Sequence, residues 1–207
     1  MARPRAADHE DKRRAILAVA AGLFARTGFD RASMAEVAKA CGVSKALLYH
    51  YYASKEALLF DILKLHLTRL LETVRAEDDP ALPPSLRLER LVSALLFAYR
   101  DADAMHNVQI NELAKLPPTA QSELKELQRA IVAIVADALA AGSPGLAADR
   151  DRLLKPVTMT LFGALNWSYL WFRDGGPISR DELARLVTRL VMAGARELGE
   201  GSPQAAS

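Results

Sequence analysis

Apolar residues recur at the spacing of an α-helix through most of the chain. In the first such segment Ile16, Ala20, Leu23 and Phe24 occupy positions i, i+4, i+7 and i+8, which places them on one stripe of a helix. Glycine and proline are sparse inside these segments and gather between them, and no segment alternates like a half-buried strand. The pattern therefore predicts an all-α fold.

Caps and breakers set the bounds of the predicted helices. Thr27-Gly28 ends the first, and Ser33 begins the second with a capping box whose acidic member is Glu36. Pro156 falls inside the eighth, where we expect a bend or a restart. We predict about nine helices, at residues 12–26, 33–41, 44–51, 54–74, 85–104, 105–115, 120–141, 149–172 and from 179 onward.

Shifts in composition divide the chain into three parts. Residues 1–55 form the first predicted domain, in which the polar residues 1–10 are expected to be a loose arm. Residues 56–199 form a larger helical domain with its clearest break at "EDDPALPP". Residues 200–207 are expected to be a disordered tail.

Charge is distributed unevenly, although the formal net charge is only +2. Residues 1–55 hold 10 Lys and Arg against 5 Asp and Glu, whereas residues 56–207 hold 17 against 20. A basic N-terminal quarter on a mildly acidic protein is typical of a surface that binds a polyanion.

The residues disfavour several classes of protein. The single cysteine, Cys41, excludes an intrachain disulfide, and we interpret it as a buried apolar residue in preference to a redox sensor. We expect neither a signal peptide nor a membrane span, since no apolar run reaches about 18 residues, and we predict a cytoplasmic protein. The four histidines are scattered and no Gly-rich phosphate loop is present, so we predict no enzyme, no metal site and no cofactor.

The segment Glu36 to Leu59 carries the candidate chemistry. A tight turn at Gly42 joins the second and third predicted helices as in a helix-turn-helix, whose second helix enters the DNA major groove. Such a helix needs apolar anchors on one face, for which the chain offers Val43, Leu47 or Leu48, and Tyr51 or Tyr52. The residues left to face outward are Lys45, Ala46, Tyr49 and His50. Basic residues of the N-terminal arm are expected to reach phosphates or the minor groove, namely Arg3, Arg5, Lys12 and Arg13.

This stretch resembles the N-terminal domain of the TetR family of bacterial transcriptional regulators. The resemblance covers about residues 12–63 and rests on residues at the family's spacing: Phe24, Gly28-Phe29, Ser33, Val37-Ala38, Gly42-Val43-Ser44, Leu48-Tyr49 and Ser54-Lys55-Glu56-Ala57-Leu58. The chain departs from the family pattern at Ala46-Leu47, where a small or Gly-Thr pair is common, and at Tyr52, where Phe is usual. The first departure concerns the operator sequence and not the fold.

The resemblance implies roles for individual residues. Ser33 would contact a phosphate at the start of the second helix, and Lys55 would pair with a phosphate at the start of the fourth. Four residues of the third helix would face bases, and its tyrosines would contact the DNA backbone, unless they only pack helices together. The predicted DNA-binding residues are Ser33, Ser44, Lys45, Ala46, Leu47, Tyr49, His50, Tyr51 and Lys55.

The resemblance also implies that the C-terminal part binds a ligand and dimerises. The last two long helices are candidates for a four-helix interface with a second copy, and an internal core stripe is the alternative for the last one. Its stripe consists of Leu183, Leu186, Val187, Leu190, Val191 and Gly194, with Ala193 and Ala195 beside them. Polar and aromatic residues within apolar segments are the predicted effector-binding residues, although a tryptophan on a helix more often serves core or interface: Tyr99, Met105, His106, Gln109, Asn166 and Trp167.

Together these features predict a ligand-responsive regulator that binds a palindromic operator in double-stranded DNA as a homodimer. The segments "VQINELAKLPP" and "NWSYLWFRDGGPIS" look similar to family members that respond to acyl-CoA thioesters, so we expect a repressor released by a small hydrophobic or acyl-CoA-type effector. Release would follow if the effector favours a conformation in which the fourth helix swings and the recognition helices no longer match two major grooves. The alternative is a helical protein-interaction module without sequence-specific DNA binding, which would not require the basic N-terminal quarter.

Overall fold

The structure is a computed structural model that describes residues 3–100 and 102–200. Every regular element among these residues is helical, which confirms the all-α prediction. The described residues form ten α-helices: α1 Arg3–Thr27, α2 Met34–Ala40, α3 Lys45–Tyr51, α4 Lys55–Glu77, α5 Pro84–Arg100, α6 Asp103–Glu112, α7 Pro118–Ala141, α8 Pro144–Ala148, α9 Lys155–Trp171 and α10 Arg180–Glu200. A 3₁₀ turn, Leu113–Lys115, follows α6, and one turn of π-helix, Arg150–Leu154, precedes α9.

The N-terminal arm differs from the sequence prediction. Helix α1 begins at Arg3, so residues 3–10 continue the helix and do not form a loose arm. Pro4 lies in its first turn, where a proline costs no helical hydrogen bond. The side chains of residues 3–8 and the predicted tail at residues 201–207 lie outside what the structure describes.

The region before α9 also differs in detail. The short helix α8 has no counterpart in the predicted set; Ser143 caps it, and its Oγ accepts a hydrogen bond from the N–H of Leu146 at 3.4 Å. The restart expected at Pro156 is confirmed, because the π-turn ends at Leu154 and Pro156 lies in the first turn of α9. Proline has no N–H to donate, which suits it to that first turn.

The chain groups into two compact units. Unit 1 comprises Met1–Thr68 and Ala102–Glu126, and unit 2 comprises Arg69–Asp101 and Leu127–Ser207. Helices α4 and α7 each contribute residues to both units. The division of function at residues 55 and 56 stays a prediction.

The core of unit 1 holds the helix-turn-helix segment in place. From the stripe predicted on α1, Ile16, Ala20 and Phe24 are buried, whereas Leu23 is only half-buried. Helix α2 adds Val37 to the same core. Burial of large side chains such as Ile16, Phe24 and Val37 stabilises a fold by about 1.5–3 kcal/mol each relative to exposure.

In the core of unit 2 one face of α5 packs against one face of α10, and α7 and α9 add further buried side chains. Helix α5 buries Leu88, Leu91 and Leu95 completely. An ion pair lies near the start of α5, where the Nε of Arg87 donates to a carboxylate oxygen of Asp78 at 2.6 Å. Helix α10 also packs against α8.

Candidate DNA-binding surface

The turn between α2 and α3 depends on the backbone of Gly42. Its φ is 65°, in the left-handed region that side chains disfavour. A Cβ at this position would meet no atom within 4 Å, so the constraint is backbone conformation and not space. The turn is closed by the N–H of Val43, which donates to the carbonyl of Ala38 at 3.0 Å. These features fix the angle at which α3 leaves α2.

Serine side chains cap both helices of this segment. At α2 the backbone N–H of Ser33 donates to Glu36 Oε2 at 2.8 Å, and the N–H of Glu36 donates to Ser33 Oγ at 3.2 Å, so the predicted capping box is present. The hydroxyl of Ser33, which donates to Glu36 Oε2 at 2.8 Å, and the Ser33 N–H together hold the pKa of the exposed Glu36 carboxyl below its usual value. At α3 the Oγ of Ser44 accepts from the N–H of Leu47 at 3.1 Å. Both N-termini are therefore ordered by residues that are themselves exposed.

Helix α3 has one buried face and one exposed face. Of the alternative anchors, Leu48 and Tyr52 are buried, while Tyr51 and Val43 are only half-buried. The opposite face presents exposed side chains, which are Lys45, Ala46, Leu47, Tyr49 and His50. This arrangement leaves the exposed residues of α3 accessible to the DNA major groove, which is wide enough for one helix.

Aromatic rings extend this surface beyond α3. The ring of Tyr51, at the end of α3, stacks on that of His9 from α1, with centroids 4.6 Å apart. The ring of His50 meets Tyr51 edge to face at 5.9 Å. The sequence prediction does not include His9, because only the fold brings α1 beside the end of α3.

Arg13 has a structural partner. Its Nη2 donates to Asp61 Oδ2 of α4 at 2.6 Å, beside the buried side chain of Tyr52. Burial raises the pKa of Tyr52 to about 12. The guanidinium expected at a phosphate therefore joins α1 to α4, while Arg3 and Arg5 have side chains outside the described part.

The ammonium group of the half-buried Lys55 also has partners within the protein. Its Nζ donates to the backbone carbonyls of Phe29, Asp30 and Ala32 at 2.8, 3.2 and 2.9 Å. It also lies 4.4 Å from the centroid of the Phe29 ring. Lys55 thus contacts the turn that leads into α2, and its phosphate contact stays a prediction.

Residues at the end of α6 and just after it also contact the turn that leads into α2. Buried Glu112 accepts a hydrogen bond from the N–H of Phe29 at 3.3 Å. Lys115, in the 3₁₀ turn, pairs with both Glu112 and Asp30. Sequence reasoning missed the contacts of Glu112 with Phe29 and of Lys115 with Asp30, since the two residues of each pair are more than 80 positions apart in the chain.

The six predicted effector-binding residues are divided between the units. In unit 1, α6 carries Met105 and His106, which are buried, and Gln109, which is half-buried. The ring centroid of His106 lies 5.7 Å from that of His66, a residue of α4. In unit 2, Tyr99 is buried and Asn166 is half-buried, whereas Trp167 is 62% exposed on α9. The exposure of Trp167 favours the interface alternative over a ligand wall.

A groove of about 610 Å³ in unit 2 follows α5 and α10. Its walls are mixed, with Phe97 and Leu86 beside the paired charges of Arg90 and Glu77. None of the six predicted effector-binding residues lines it. The groove therefore does not support the predicted effector site.

Exposed apolar side chains continue along α9 and α10. The predicted stripe of α10 divides into two faces, since Leu183 is buried in unit 2 whereas Leu190 is 65% exposed. Large exposed apolar residues on the two helices are Met159, Trp167, Leu170, Trp171, Leu186, Leu190 and Leu198. Apolar surface of this kind marks an interaction site in a protein that is otherwise well packed.

Other chemistry finds little support in the described residues. No group of three or more His, Cys, Asp and Glu side chains among them is placed to hold a metal ion. No helix in residues 3–100 or 102–200 is long and apolar enough to cross a bilayer. Cys41 is half-buried and not fully buried as predicted, and this partial burial raises the pKa of its thiol, which disfavours a reactive thiolate.

Two protein-family models match most of the chain. Residues 16–62 match the model described as "Bacterial regulatory proteins, tetR family". Residues 81–195 match the model described as "Tetracyclin repressor-like, C-terminal domain". The first match contains α2, α3 and the turn between them.

Individual proteins are similar along almost the whole chain. A TetR-family transcriptional regulator from Bordetella parapertussis has a crystal structure 37% identical in sequence, which covers 86% of this chain and 93% of its own with a TM-score of 0.80. The HTH-type transcriptional repressor KstR2 of Mycolicibacterium smegmatis is 24% identical over 188 residues, 88% of this chain and 90% of the relative. The crystal structure of AibR in complex with isovaleryl coenzyme A and operator DNA is 25% identical, covers 86% and 97%, and has a TM-score of 0.75.

Proposed function

The chain belongs to the TetR family of bacterial regulators, and from that premise we propose that it represses transcription by binding a palindromic DNA operator and leaves it when an acyl-CoA thioester binds. The observation that carries the DNA-binding part is the exposed face of α3. That face is held by a glycine turn, a serine cap and the buried anchor Leu48. A surface without a partner would not need such a fixed rod.

The proposed contacts follow from the chemistry of each exposed side chain. Lys45 donates to guanine O6 and N7, and Ala46 or Leu47 touches a thymine methyl. Tyr49 donates its hydroxyl to a phosphate from a stiff aromatic stem. The full set of proposed DNA contacts is Ser33, Ser44, Lys45, Ala46, Leu47, Tyr49, His50, Tyr51 and Lys55.

The repressor is a homodimer. Members of this family are dimers, and two α3 helices placed about one helical turn of DNA apart read the two halves of a palindrome. We assign the exposed apolar face of α9 and α10, which contains Trp167 and Leu190, to the contact with the second copy. A four-helix interface of this kind excludes water from both helices.

An acyl-CoA thioester is the proposed effector class. AibR, 25% identical over most of its length, is known with both isovaleryl coenzyme A and operator DNA bound. The proposed effector-binding residues are Met105, His106 and Gln109 in unit 1 and Tyr99 and Asn166 in unit 2, and each set combines buried surface with polar groups.

Release is a shift between two populations. Helix α4 belongs to both units and begins directly after the helix-turn-helix segment, so a change in its direction changes the position of α3. An effector shifts the balance only by its difference in affinity for the two states. Moving the protein from 1% to 99% released takes a difference of about 10⁴-fold.

Selection of bound fragments from randomised DNA tests the DNA-binding part. We expect enrichment of a two-fold symmetric site whose affinity falls steeply with salt, because phosphate contacts release counterions. A protein that enriches no sequence contradicts the proposal and favours the helical interaction module. A Tyr49→Phe variant, which loses only the hydroxyl, should bind the selected site more weakly and keep the same sequence preference.

Titration of the preformed complex tests the effector part. Acyl-CoA thioesters of increasing chain length should release the DNA, while free coenzyme A and the free acids serve as matched controls. A thioester that binds tightly and leaves the DNA affinity unchanged would contradict the release mechanism. The proposed DNA binding would still stand.

We also propose that the protein catalyses no reaction and lies in the cytoplasm with the chromosome. The relatives named above are regulators of transcription. Incubation of the protein with acyl-CoA thioesters should therefore return them unchanged.

A further inference from the structure

The side chain of Arg180, the first residue of α10, is only 11% exposed and is held by partners within unit 2. Its Nε and Nη2 donate to the two carboxylate oxygens of Asp174 at 3.3 and 2.9 Å, a pairing that suits the planar fork of arginine. Its Nη1 donates to the backbone carbonyl of Leu96 in α5 at 3.1 Å. Its Cζ lies 4.8 Å from the ring centroid of Phe172, within the range of a cation–π interaction.

These contacts fix the loop that joins α9 to α10. The chain leaves α9 at Phe172, whose backbone is extended, and turns at Gly175 with a φ of 82°. Arg180 follows this loop and reaches back to Asp174 within it. Its bond to the carbonyl of Leu96 fastens the same loop to α5. One side chain therefore sets the direction in which α10 leaves α9.

The ring of Phe172 connects Arg180 to the exposed apolar face of α9 and α10. Phe172 is buried, and its ring meets that of Trp171 edge to face with centroids 6.1 Å apart. Trp171 is 57% exposed and belongs to the face assigned to the second copy. Tryptophan is among the residues that carry most of the binding energy in protein interfaces. A displacement of the Phe172 ring therefore moves a large side chain of the proposed interface.

We propose that Arg180 is a positioning residue for the homodimer: it joins the loop between α9 and α10 to α5 and, through the ring of Phe172, holds Trp171 where a second copy contacts it. The inference rests on the proposed interface and deepens it. An interface whose side chains are already fixed in the free subunit loses less conformational entropy on association. Loss of Arg180 should therefore weaken the dimer even where each subunit stays folded.

The test compares Arg180→Met and Arg180→Lys with the unchanged full-length protein. Methionine keeps an unbranched apolar stem beside Phe172 but has no donor. Asp174 is 56% exposed, so its carboxylate stays hydrated in this variant and no unpaired charge is buried. Lysine keeps the charge, but its single ammonium group does not reproduce the planar fork. The matched control is Arg150→Met, which breaks an exposed ion pair with Asp137 in unit 2.

Two quantities are measured well below the thermal midpoint of each variant: the dimer dissociation constant, by sedimentation over a range of concentrations, and amide exchange of residues 172–179. For Arg180→Met we expect the dimer dissociation constant to rise by about tenfold or more, since side chains that were fixed must now be ordered on association. Amide exchange in the loop should become faster. Arg180→Lys should show both changes, and Arg150→Met should show neither.

A double variant separates an effect on the interface from a general loss of stability. Trp171→Ala truncates the exposed ring and should itself raise the dimer dissociation constant. If Arg180 acts through Trp171, adding Arg180→Met to Trp171→Ala raises the constant much less than adding it to the unchanged protein. A purely structural role of Arg180 would not produce this coupling.

Two results would overturn the inference. If Arg180 serves only the stability of unit 2, the thermal midpoint of Arg180→Met falls while the folded variant dimerises as tightly as before. If the effects of Arg180→Met and Trp171→Ala on the dissociation constant multiply independently, Arg180 does not act through that ring. Failure of the proposed interface is a different result, in which Trp171→Ala and Leu190→Glu both leave the dimer unchanged, and the inference falls with it.

Discussion

Leu47 and Leu48 are neighbours on α3, yet Leu48 is completely buried whereas 38% of Leu47 is exposed. The pair therefore separates the two tasks of this helix, which are to pack against unit 1 and to face a partner. Leu48→Ala should lower the free energy of unfolding by about 2–5 kcal/mol, because it leaves a cavity in the core. Leu47→Ala should change it by about 0.5 kcal/mol or less.

Urea unfolding of both variants measures this difference, and fragment selection measures its functional counterpart. Leu47→Ala should change the preferred base at one position of each half-site, with stability retained. Equal loss of stability in the two variants would show that both leucines serve the core, and the proposed contact of Leu47 with DNA would then lose its support.

A second prediction concerns the ion pair that joins α1 to α4. The Nη2 of Arg13 and the Oδ2 of Asp61 lie 2.6 Å apart. Because both side chains are partly exposed, solvent screens their attraction. Asp61→Asn should lower the free energy of unfolding by about 1 kcal/mol, the upper part of the range for such pairs. The control is Glu123→Gln, which breaks the more exposed pair with Lys64 and should cost about 0–0.5 kcal/mol. Thermal unfolding of the two variants at one pH compares them; a larger loss for Glu123→Gln would contradict the assignment.

The local features of the helix-turn-helix could be predicted from sequence because they depend on near neighbours. The capping box of Ser33 and Glu36 and the turn at Gly42 each involve residues a few positions apart, and the structure has both. Periodicity left Leu47 or Leu48 open as the anchor, because in a helix of seven residues both lie near the edge of the apolar stripe. Only the neighbouring helices select Leu48.

The remaining features depend on tertiary contacts that no local pattern records. The partners of Lys55 lie 23 to 26 positions away, and the pattern "SKEAL" is equally compatible with a phosphate or a carbonyl at the ammonium. The prediction of effector-binding residues rests on residue type alone, and polar or aromatic side chains in apolar helices serve core, pocket and interface alike. The exposure of Trp167 favours an interface for that residue over a place in the core or in a pocket.

The capping box of α2 should make stability depend on pH in a defined window. Hydrogen bonds from Ser33 lower the pKa of Glu36 below 4.5, its ordinary value. A carboxyl with a depressed pKa in the folded state contributes stability that is fully present above the unfolded pKa and is lost as pH falls through the folded one. The advantage of the unchanged protein over Glu36→Gln should therefore be constant above pH 4.5 and shrink below it.

Thermal midpoints of the two proteins over a pH series measure this advantage. Glu182 has the same shift in the second capping box, with Ser179, and both proteins retain it. Its effect cancels in the difference, which then reports Glu36 alone. An advantage that stays constant down to the acid limit of folding would mean that the charge of Glu36 adds nothing to its hydrogen bonds.

Leu190 on α10 is 65% exposed, as expected of a side chain that a second copy covers. Leu190→Glu places a charge on that face in both copies of a two-fold dimer, so each substitution acts twice. We expect the dimer dissociation constant to rise by about 100-fold or more, since a buried charge without a partner is costly. Sedimentation over a range of concentrations measures it, with Leu86→Glu as the control, because Leu86 is exposed on α5 in unit 2.

Operator affinity should follow the oligomeric state, because a monomer reads one half-site and loses the contribution of the other. Leu190→Glu should therefore bind a full operator hardly better than a half-site, while Leu86→Glu keeps the preference for the full operator. The variant must retain the thermal midpoint expected of a folded monomer for this comparison to hold. If Leu190→Glu stays dimeric, the partner-facing surface lies elsewhere, and Trp167 and Leu190 need another explanation for their exposure.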